Sequence, residues 1–261
     1  MQRFFIEIAF NGKAYHGWQA QPNAQTVQQV LDSALGTICR QPVETVGCGR
    51  TDTGVHAKQL FAHFDLSDPR EDPEDPNFGY RLNALLPHDI AVKRVFAVEA
   101  DAHARFDATQ RHYEYLIHTG KDPFRQGLSW QVRSMPDLDK MNEAARALLS
   151  YRDFSCFSKS NTQTFTNNCT VSQAAWTRRG PDGMVFTIAA DRFLRNMVRA
   201  IVGTLLDIGS GNKPVAHIHE VVGSKNRSMA GMSAPAHGLY LARVLYPYVN
   251  PSASLSASAE K

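Results

Sequence analysis

Residues 43–66 read VETVGCGRTDTGVHAKQLFAHFDL, and the fold prediction depends on this stretch. Its first part, residues 43–48, is typical of a short strand, and apolar residues alternate through its last part from Leu60 to Leu66. The run between them, residues 49–57, contains glycines and polar residues and predicts a loop. The stretch therefore predicts two strands in succession, joined without a helix.

The flanking sequence completes a β-α-β-β-α-β order. Alternating apolar residues predict a strand over residues 4–10, and helical spacing predicts a helix that begins after Thr26, with Thr26 and Gln29 placed as a capping box. A short helix over residues 78–86 and a strand over residues 90–98 follow the central pair of strands. This order is the split β-α-β plan of ferredoxin-like and RRM domains.

The second half of the chain repeats this plan. Strands are predicted over residues 113–117, 171–176, 184–190 and 239–246, and helices over residues 138–149 and 194–208. We therefore predict an α+β protein built from two ferredoxin-like or RRM-like halves with mainly antiparallel sheets. The N-terminal half covers residues 1–106, the C-terminal half covers residues 107–248, and the Ser/Ala-rich residues 249–261 are expected to form a disordered tail.

The composition is that of a globular protein with a mild basic excess. The chain has 261 residues, of which 43% are hydrophobic, and its 28 Lys and Arg against 25 Asp and Glu give a formal net charge of +3. Such a charge permits a polyanionic partner without requiring one. The four cysteines form no C-x-x-C pair, and no apolar run reaches the roughly 18 residues of a membrane span. We therefore expect a cytoplasmic protein without a membrane partner.

The predicted loop at residues 49–57 carries the best candidate for catalysis, Asp52. Arg50 stands two residues before it, and a neighbouring guanidinium favours the ionised carboxylate. Flanking glycines allow a flat substrate to approach the backbone. An ionised, pre-positioned carboxylate is what nucleophilic or general-base catalysis requires. The alternative is a β-turn in which Asp52 bonds its own backbone, and we favour the catalytic interpretation.

A metal site formed by Asp52, His56 and His63 is a weaker alternative. The sequence offers no second carboxylate or cysteine at ligand spacing beside them, so we expect no metal. His63 falls on the face of its predicted strand opposite to Leu60 and Phe64, and we expect it to be exposed to solvent.

Two further sets of residues are candidates for contact with a phosphate-bearing ligand. Four polar residues fall on one side of the predicted helix over residues 194–208 and its start: Arg192, Arg195, Asn196 and Arg199. Three arginines with no acid among them suit phosphate contact, although a solvated helix face is the alternative. Tyr113, near the start of a strand, can stack on a base, whereas Tyr15 and Trp18 are expected in the core.

The loop and several other blocks resemble the tRNA pseudouridine synthase A (TruA) family. The most specific string is Gly49-Arg50-Thr51-Asp52-Thr53-Gly54-Val55-His56-Ala57. Further matching blocks keep the family's order: Tyr15-His16-Gly17-Trp18-Gln19, Thr26-Val27-Gln28, Leu82-Asn83-Ala84-Leu85-Leu86-Pro87, His103-Ala104-Arg105-Phe106, Met197-Val198-Arg199 and Gly238-Leu239-Tyr240-Leu241. The chain departs from the pattern at Asn168-Cys169-Thr170-Val171, where the family more often has Arg-Thr-Ile.

The resemblance implies roles for four residues and a substrate. It implies that Asp52 is catalytic, that Arg50 helps to displace the target base, that Tyr113 contacts the uracil and that Arg199 pairs with the aspartate. It further implies a pseudouridine-synthase-type core with a central cleft, and a homodimer that modifies uridines 38–40 of the tRNA anticodon stem-loop without a cofactor or metal.

Two other functions remain as alternatives at this point. A non-catalytic RNA-binding protein with two RRM-like halves would fit the fold plan, but the chain lacks the aromatic RNP string of RRM domains. A metal-dependent phosphoesterase would use Asp52, His56 and His63, and a chelator would abolish its activity.

Overall fold

The structure, a computed structural model, describes residues 1–67, 72–159 and 165–249. Backbone contacts divide the chain into two compact units, one of Met1–Thr109 with Leu241–Lys261 and one of Gln110–Tyr240. Residues 250–261 of the predicted tail lie outside the described residues.

The first unit has the predicted β-α-β-β-α-β order. Its elements are β1 (Gln2–Phe10), α1 (Val27–Cys39), β2 (Val46–Gly47), β3 (His56–Leu66), α2 (Pro76–Leu85) and β4 (Ile90–Val98). The strand β1 lies between β4 and β3 and is antiparallel to both, and β2 pairs with the other edge of β3 near Ala62. This is the strand arrangement of a ferredoxin-like sheet, so the fold prediction for this half is confirmed.

Local sequence accounts for the helix boundaries in this unit. Thr26 and Gln29 form the predicted capping box, with the Thr26 side chain accepting from the Gln29 N–H and the Gln29 side chain accepting from the Thr26 N–H. α2 begins with Pro76 after Asp75, whose carboxylate accepts the N–H of Asn77. Both starts satisfy amide groups that have no partner within the helix.

Both faces of the first sheet are covered, which overturns the expectation that His63 is exposed. His63 is buried and packs against the rings of Phe5 and His103. Its Nδ1 accepts the N–H of Ala104, which requires an unprotonated nitrogen. Burial, with the nearby charge of Arg3, lowers the pKa of His63 to about 4. Alternation alone did not reveal the second apolar layer.

An aromatic cluster forms that second layer. Ring contacts join five side chains: Phe5, Phe61, Phe96, Tyr246 and Tyr248. The hydroxyl of Tyr246 donates to the carbonyl of Ala104. The end of the chain described here therefore belongs to the hydrophobic core of the first unit.

The strand before the loop is shorter than predicted, because side chains from α1 take the place of the sheet ladder. The Asp32 carboxylate accepts both the N–H and the hydroxyl of Thr45, at 3.1 and 2.6 Å. The Gln28 side chain donates to the Thr45 carbonyl at 2.6 Å. With these groups bonded to a helix, only Val46–Gly47 forms a strand in the predicted range 43–48.

The second unit contains the remaining helices and most of the remaining strands. Its elements are β5 (Gln110–His118), β6 (Trp130–Gln131), α3 (Leu138–Ala147), β7 (Val171–Arg178), β8 (Gly183–Ala190), α4 (Met197–Gly209) and α5 (His217–Ser224). The strand β8 lies between β5 and β7 and is antiparallel to both, whereas the short β6 is parallel to β5. The prediction of mainly antiparallel sheets is confirmed.

The last strand, β9 (Leu239–Leu245), begins in the second unit and ends in the first. The sequence placed residues 107–248 in one half, whereas by contacts residues 241–249 lie with the first unit. The N–H of Val244 donates to the Gln59 side chain, which is one of the contacts that join the end of β9 to the first unit. Linear order does not tell which unit a closing strand joins.

The helix α4 begins later than predicted, so it is not a helix rich in arginine. It starts at Met197, and Asn196 before it has a left-handed backbone with φ of +69°. A helix cannot continue through that conformation. Arg192 and Arg195 therefore lie in the segment before α4, and Arg199 is the one arginine inside it.

Candidate functional site

Asp52 lies in the loop of residues 48–55, between β2 and β3. The loop starts where the Cys48 N–H donates to the Phe61 carbonyl at 2.7 Å. It closes with a turn in which the Val55 N–H donates to the Asp52 carbonyl at 3.1 Å, with Gly54 at a φ of +77°. Asp52 is half-buried. The loop thus presents a carboxylate from a turn with defined backbone bonds.

The segment that follows β1 packs directly on the backbone of this loop. The N–H of Gly54 donates to the Tyr15 carbonyl at 3.3 Å. A Cβ on Gly12 would lie 1.9 Å from the Val55 carbonyl oxygen, and one on Gly17 would lie 2.3 Å from the Thr51 carbonyl oxygen. Gly17 also has a φ of +87°. Glycine is therefore required at both positions, and it lets the two backbones touch next to Asp52.

The two aromatic residues of the same segment are buried, as predicted. Tyr15 donates its hydroxyl to Asp89 at 2.6 Å, and burial with this bond raises the pKa of Tyr15. Trp18 fills the space above Gly47, where a Cβ would lie 2.3 Å from the indole nitrogen. Trp18 therefore packs against Gly47, the residue directly before the loop.

Side chains of α1 support the other end of the loop. The Gln28 and Asp32 contacts to Thr45 fix the chain just before β2, and Gln28 also accepts the N–H of Ala20. Burial raises the pKa of Asp32 to about 6, against the opposite effect of the two hydrogen bonds from Thr45. These two positions were not among the sequence-predicted site residues, although Gln28 belongs to a matched block.

The residues next to Asp52 differ in exposure. Arg50 is exposed, and Gly49 has no atom within 4 Å of the place where a Cβ would stand. The glycine thus leaves open space beside the loop, as the sequence suggested. Thr51 is buried, and its hydroxyl has no hydrogen-bond partner among the described residues. This unpaired hydroxyl directly precedes the candidate catalytic residue.

Tyr113 and Arg199 belong to the second unit. Tyr113 lies on β5 opposite Ile188 and is half-buried, with its ring edge-on to Phe193 at 5.1 Å. Arg199 lies in the first turn of α4 and donates from Nε to the Ala234 carbonyl at 2.6 Å. The structure thus places Arg50 and Asp52 together in one loop of the first unit, and Tyr113 and Arg199 on two elements of the second.

The second unit contains a buried tyrosine that the sequence analysis did not select as functional. Tyr115 lies two residues after Tyr113, on the same face of β5, and donates its hydroxyl to the Pro235 carbonyl at 2.8 Å. Burial raises the pKa of Tyr115. Burial and the nearby charge of Arg199 also lower the pKa of His237. Tyr115 and Arg199 therefore both donate to the segment that contains Ala234, Pro235 and His237.

The described residues do not support the metal alternative. Within residues 1–67, 72–159 and 165–249, no three histidine, cysteine or acidic side chains are grouped closely enough to hold a metal ion. His56 is buried, and its Nδ1 accepts the N–H of Gly12 at 3.1 Å. His63 is likewise bonded through Nδ1 to Ala104. In both rings, therefore, Nδ1 accepts a backbone N–H.

A helix needs about 20 mostly apolar residues to cross a bilayer. In the part of the chain that the structure describes, no helix is long and apolar enough to do so.

Comparison with known proteins identifies the family. A sequence model described as tRNA pseudouridine synthase matches residues 7–107 and 144–247. A tRNA pseudouridine synthase A from Porphyromonas gingivalis is 52% identical over 249 residues, with 95% of this chain and 98% of the relative covered. A protein of the same name from Bacillus licheniformis is 41% identical over 248 residues, covering 94% of this chain and 99% of the relative. The chain therefore belongs to the tRNA pseudouridine synthase family.

Proposed function

We propose that this chain converts uridines 38–40 of the tRNA anticodon stem-loop to pseudouridine, with Asp52 as the catalytic residue. The observation that carries the proposal is the loop of residues 48–55, in a chain that belongs to this family. The backbone of this loop packs against Gly12 and Gly17, which supports the proposal that the Asp52 carboxylate is positioned before the substrate arrives. Such preorganisation is what a catalytic group needs.

The reaction is an isomerisation and consumes nothing. The bond between uracil N1 and ribose C1′ breaks, the base turns, and a bond forms between uracil C5 and C1′. The proton lost from C5 is matched by the proton gained at N1, so the numbers of atoms and electrons do not change. The proposal therefore includes no redox cofactor and no nucleoside triphosphate. Attack of Asp52 on C1′, addition to C6 and removal of a ribose proton all require the same anionic oxygen.

The target base must leave the stem before it can react. Flipping a paired base costs a few kcal/mol, which phosphate contacts and stacking can offset. Arg50 is exposed and stands two residues from Asp52, which supports a role in occupying the vacated stack. Tyr113 supports the flipped uracil in this proposal, because its ring is held edge-on by Phe193. Arg199 is proposed as the partner of the Asp52 carboxylate.

The proposal includes a cytoplasmic homodimer as the active form. The support is the family resemblance, since the structure describes one chain. Light scattering on the purified protein should give a mass of twice 29.0 kDa. A mass of one chain at the concentrations used for activity would contradict this part of the proposal.

The function is tested by incubating the protein with an unmodified tRNA transcript, without added metal and with a chelator. Pseudouridine is then mapped by a chemical adduct that stops reverse transcription. We expect stops in the 3′ side of the anticodon stem-loop, at the same yield with and without chelator. Binding of the transcript without any stop would favour the non-catalytic RNA-binding alternative, and loss of the stops in chelator would favour a metal enzyme.

A further inference from the structure

Residues 230–238, here called the strap, lie along α4 and reach β5. The strap follows a short 3₁₀ turn, Arg227–Met229, and ends at Gly238, just before β9. At one end the Gly231 N–H donates to the Thr204 hydroxyl on α4 at 2.9 Å. At the other end a Cβ on Gly238 would lie 2.7 Å from the ring of Tyr115. The strap is therefore in contact with α4 and β5, the two elements that carry the proposed site residues of this unit, Arg199 and Tyr113.

The middle of the strap holds the side chain of Arg199. The Ala234 carbonyl accepts from Arg199 Nε at 2.6 Å, and the Ala234 N–H donates to the Arg199 carbonyl at 3.0 Å. The next carbonyl, that of Pro235, accepts the Tyr115 hydroxyl at 2.8 Å. Two successive carbonyls thus bind one side chain from α4 and one from β5.

Ser233, the residue before Ala234, receives two hydrogen bonds. Its Oγ accepts from Asn196 Nδ2 at 2.7 Å and from Arg227 Nη2 at 2.8 Å. Asn196 is the left-handed residue at the start of α4. Arg227 also donates to the carbonyls of Ala230 and Gly231 through Nη1, at 3.3 and 3.1 Å. One hydroxyl therefore ties the strap to the helix start and to the turn before it.

The backbone of the strap lies directly against the backbone of α4. A Cβ on Gly203 would lie 1.8 Å from the Met232 carbonyl oxygen, and one on Gly231 would lie 2.7 Å from the Thr204 nitrogen. Glycines on both sides let the strap backbone touch the helix backbone. The hydrogen bonds of Ser233 thus add to the close backbone packing that the two glycines allow.

We propose that Ser233 is a positioning residue that, through the strap, fixes the guanidinium of Arg199 relative to the strand that carries Tyr113. This inference rests on the proposed function, in which Arg199 pairs with the Asp52 carboxylate and Tyr113 supports the flipped uracil. Ser233 itself touches no substrate. Its loss allows the Ala234 carbonyl to shift, so that Arg199 loses its fixed orientation while RNA contacts elsewhere persist.

The kinetic test uses Ser233→Ala, with Ser228→Ala as the matched control. Ser228 is an exposed serine of the neighbouring turn, and its hydroxyl donates to Asn226. For Ser233→Ala we expect the single-turnover rate to fall about 10- to 100-fold, since displacements near 1 Å carry penalties of that size. The Kd for tRNA should change less than about threefold. Ser233→Thr, which keeps the hydroxyl, should restore the rate, and Ser228→Ala should match the wild type.

A double-mutant cycle with Arg199→Lys separates positioning from a general structural effect. Lysine has no Nε–H for Ala234, so Ser233→Ala should slow Arg199→Lys by less than about twofold. If the two losses multiply in full, or if Ser233→Ala reacts at the wild-type rate, the proposal is overturned. If Ser233→Ala does not fold, Arg227→Gln removes the other donor to the same hydroxyl, and the same outcomes apply to it.

A second measurement tests the contact between Arg199 and the strap without relying on catalysis. In ¹⁵N NMR spectra of the RNA-free protein, the Arg199 Nε–H signal is assigned by its absence in Arg199→Lys. We expect its exchange with water to be about tenfold faster in Ser233→Ala and unchanged in Ser228→Ala. Equal exchange in all three proteins overturns the proposal. If the wild type makes no pseudouridine but exchange is still faster in Ser233→Ala than in the wild type, the proposed function is overturned and the positioning contact stands.

Discussion

The two units connect their central strand pair in different ways. In the first unit, β2 and β3 are joined by residues 48–55, the loop that contains Asp52. In the second unit, the corresponding strands β7 and β8 are joined by residues 179–182, a tight turn closed by the bond from the Arg179 N–H to the Gly183 carbonyl at 2.9 Å. The same position in the same element order holds the loop of the proposed catalytic residue in one unit and a tight hairpin in the other.

The strand lengths follow this difference. The strands β7 and β8 pair from Val171 opposite Ala190 to Arg178 opposite Met184, with one register shift between Val171 and Gln173. Beside the loop, β2 has two residues, because Gln28 and Asp32 bind the backbone of Thr45 instead. In the first unit, side-chain hydrogen bonds from α1 thus replace part of the strand pairing next to the loop. Both units thus share one fold plan, whereas the proposed chemistry belongs to a loop of eight residues and its supports in the first unit.

Apart from changes to Asp52 itself, the largest effect is expected from Gly17→Ala, which breaks the support of the loop. The new Cβ would stand 2.3 Å from the Thr51 carbonyl oxygen, at a φ of +87°, so the Asp52 backbone must move. We expect the single-turnover rate of pseudouridine formation to fall at least about 100-fold.

Gly180→Ala is the control in the hairpin of the second unit. Gly180 has a φ of +73°, but the nearest atom to a Cβ there is Asp182 Oδ1 at 3.9 Å. It should cost about 1 kcal/mol of unfolding free energy and leave the rate unchanged. Equal rates for Gly17→Ala and the wild type would contradict the proposed support.

The next effect concerns pH, because β3 carries two buried histidines, His56 and His63, and β8 carries none. The pKa of His63 is near 4 in the folded protein and about 6.5 when unfolded, so protons favour the unfolded chain between these values. The contribution of neutral His63 to the free energy of unfolding is therefore complete above about pH 6.5 and decreases as the pH falls toward 4.

His63→Asn isolates this contribution, because it removes the titrating ring and keeps an acceptor for the Ala104 N–H. From pH 7 to pH 5, the wild type should lose about 2 kcal/mol of unfolding free energy relative to the variant. The opposite slope expected from the raised pKa of Asp32 is common to both proteins and cancels. Urea unfolding at several pH values measures the difference, and parallel pH curves would contradict the assignment.

A smaller effect should separate two exposed arginines, Arg50 in the loop and Arg179 in the hairpin. If Arg50 enters the vacated base stack, Arg50→Gln should slow single-turnover pseudouridine formation about tenfold, since base flipping would lose a stabilising contact. Arg179→Gln should change the rate less than about twofold. Similar rates for the two variants would remove Arg50 from the proposed site.

How much the sequence predicts depends on whether the determining residues are close together in the chain. The capping box of Thr26 and Gln29 and the loop around Asp52 are contiguous patterns, and both elements lie where they were expected. The errors arise where distant segments meet. His63 is buried by a second layer, and α4 begins late because Asn196 adopts a left-handed backbone.

The supports of the candidate site were the least predictable part. Ser233 and Arg227 are separated from Asn196 by more than thirty residues, as the hydrogen bond to Asn196 spans 37 positions. Nothing in a local pattern marks such a contact. The run Ala-Gly-Met-Ser-Ala-Pro at residues 230–235 offered one signal, since small residues permit close backbone packing.

The smallest effect is expected from Thr51→Val. The Thr51 hydroxyl is buried without a partner among the described residues, and an unpaired buried hydroxyl is destabilising. Replacing it with a methyl group should raise the free energy of unfolding by about 1 kcal/mol, measured by urea denaturation. A loss of stability of similar size would mean that the hydroxyl is bonded in solution.

The most direct test of Asp52 is Asp52→Asn, which keeps the shape of the side chain and removes its charge. Pseudouridine in the anticodon stem-loop of a tRNA transcript is quantified under single-turnover conditions, together with the Kd for the transcript. We expect the rate to fall at least about a thousandfold while the Kd stays within about threefold of the wild type. Pseudouridine formation by Asp52→Asn at a rate near that of the wild type would contradict the assignment.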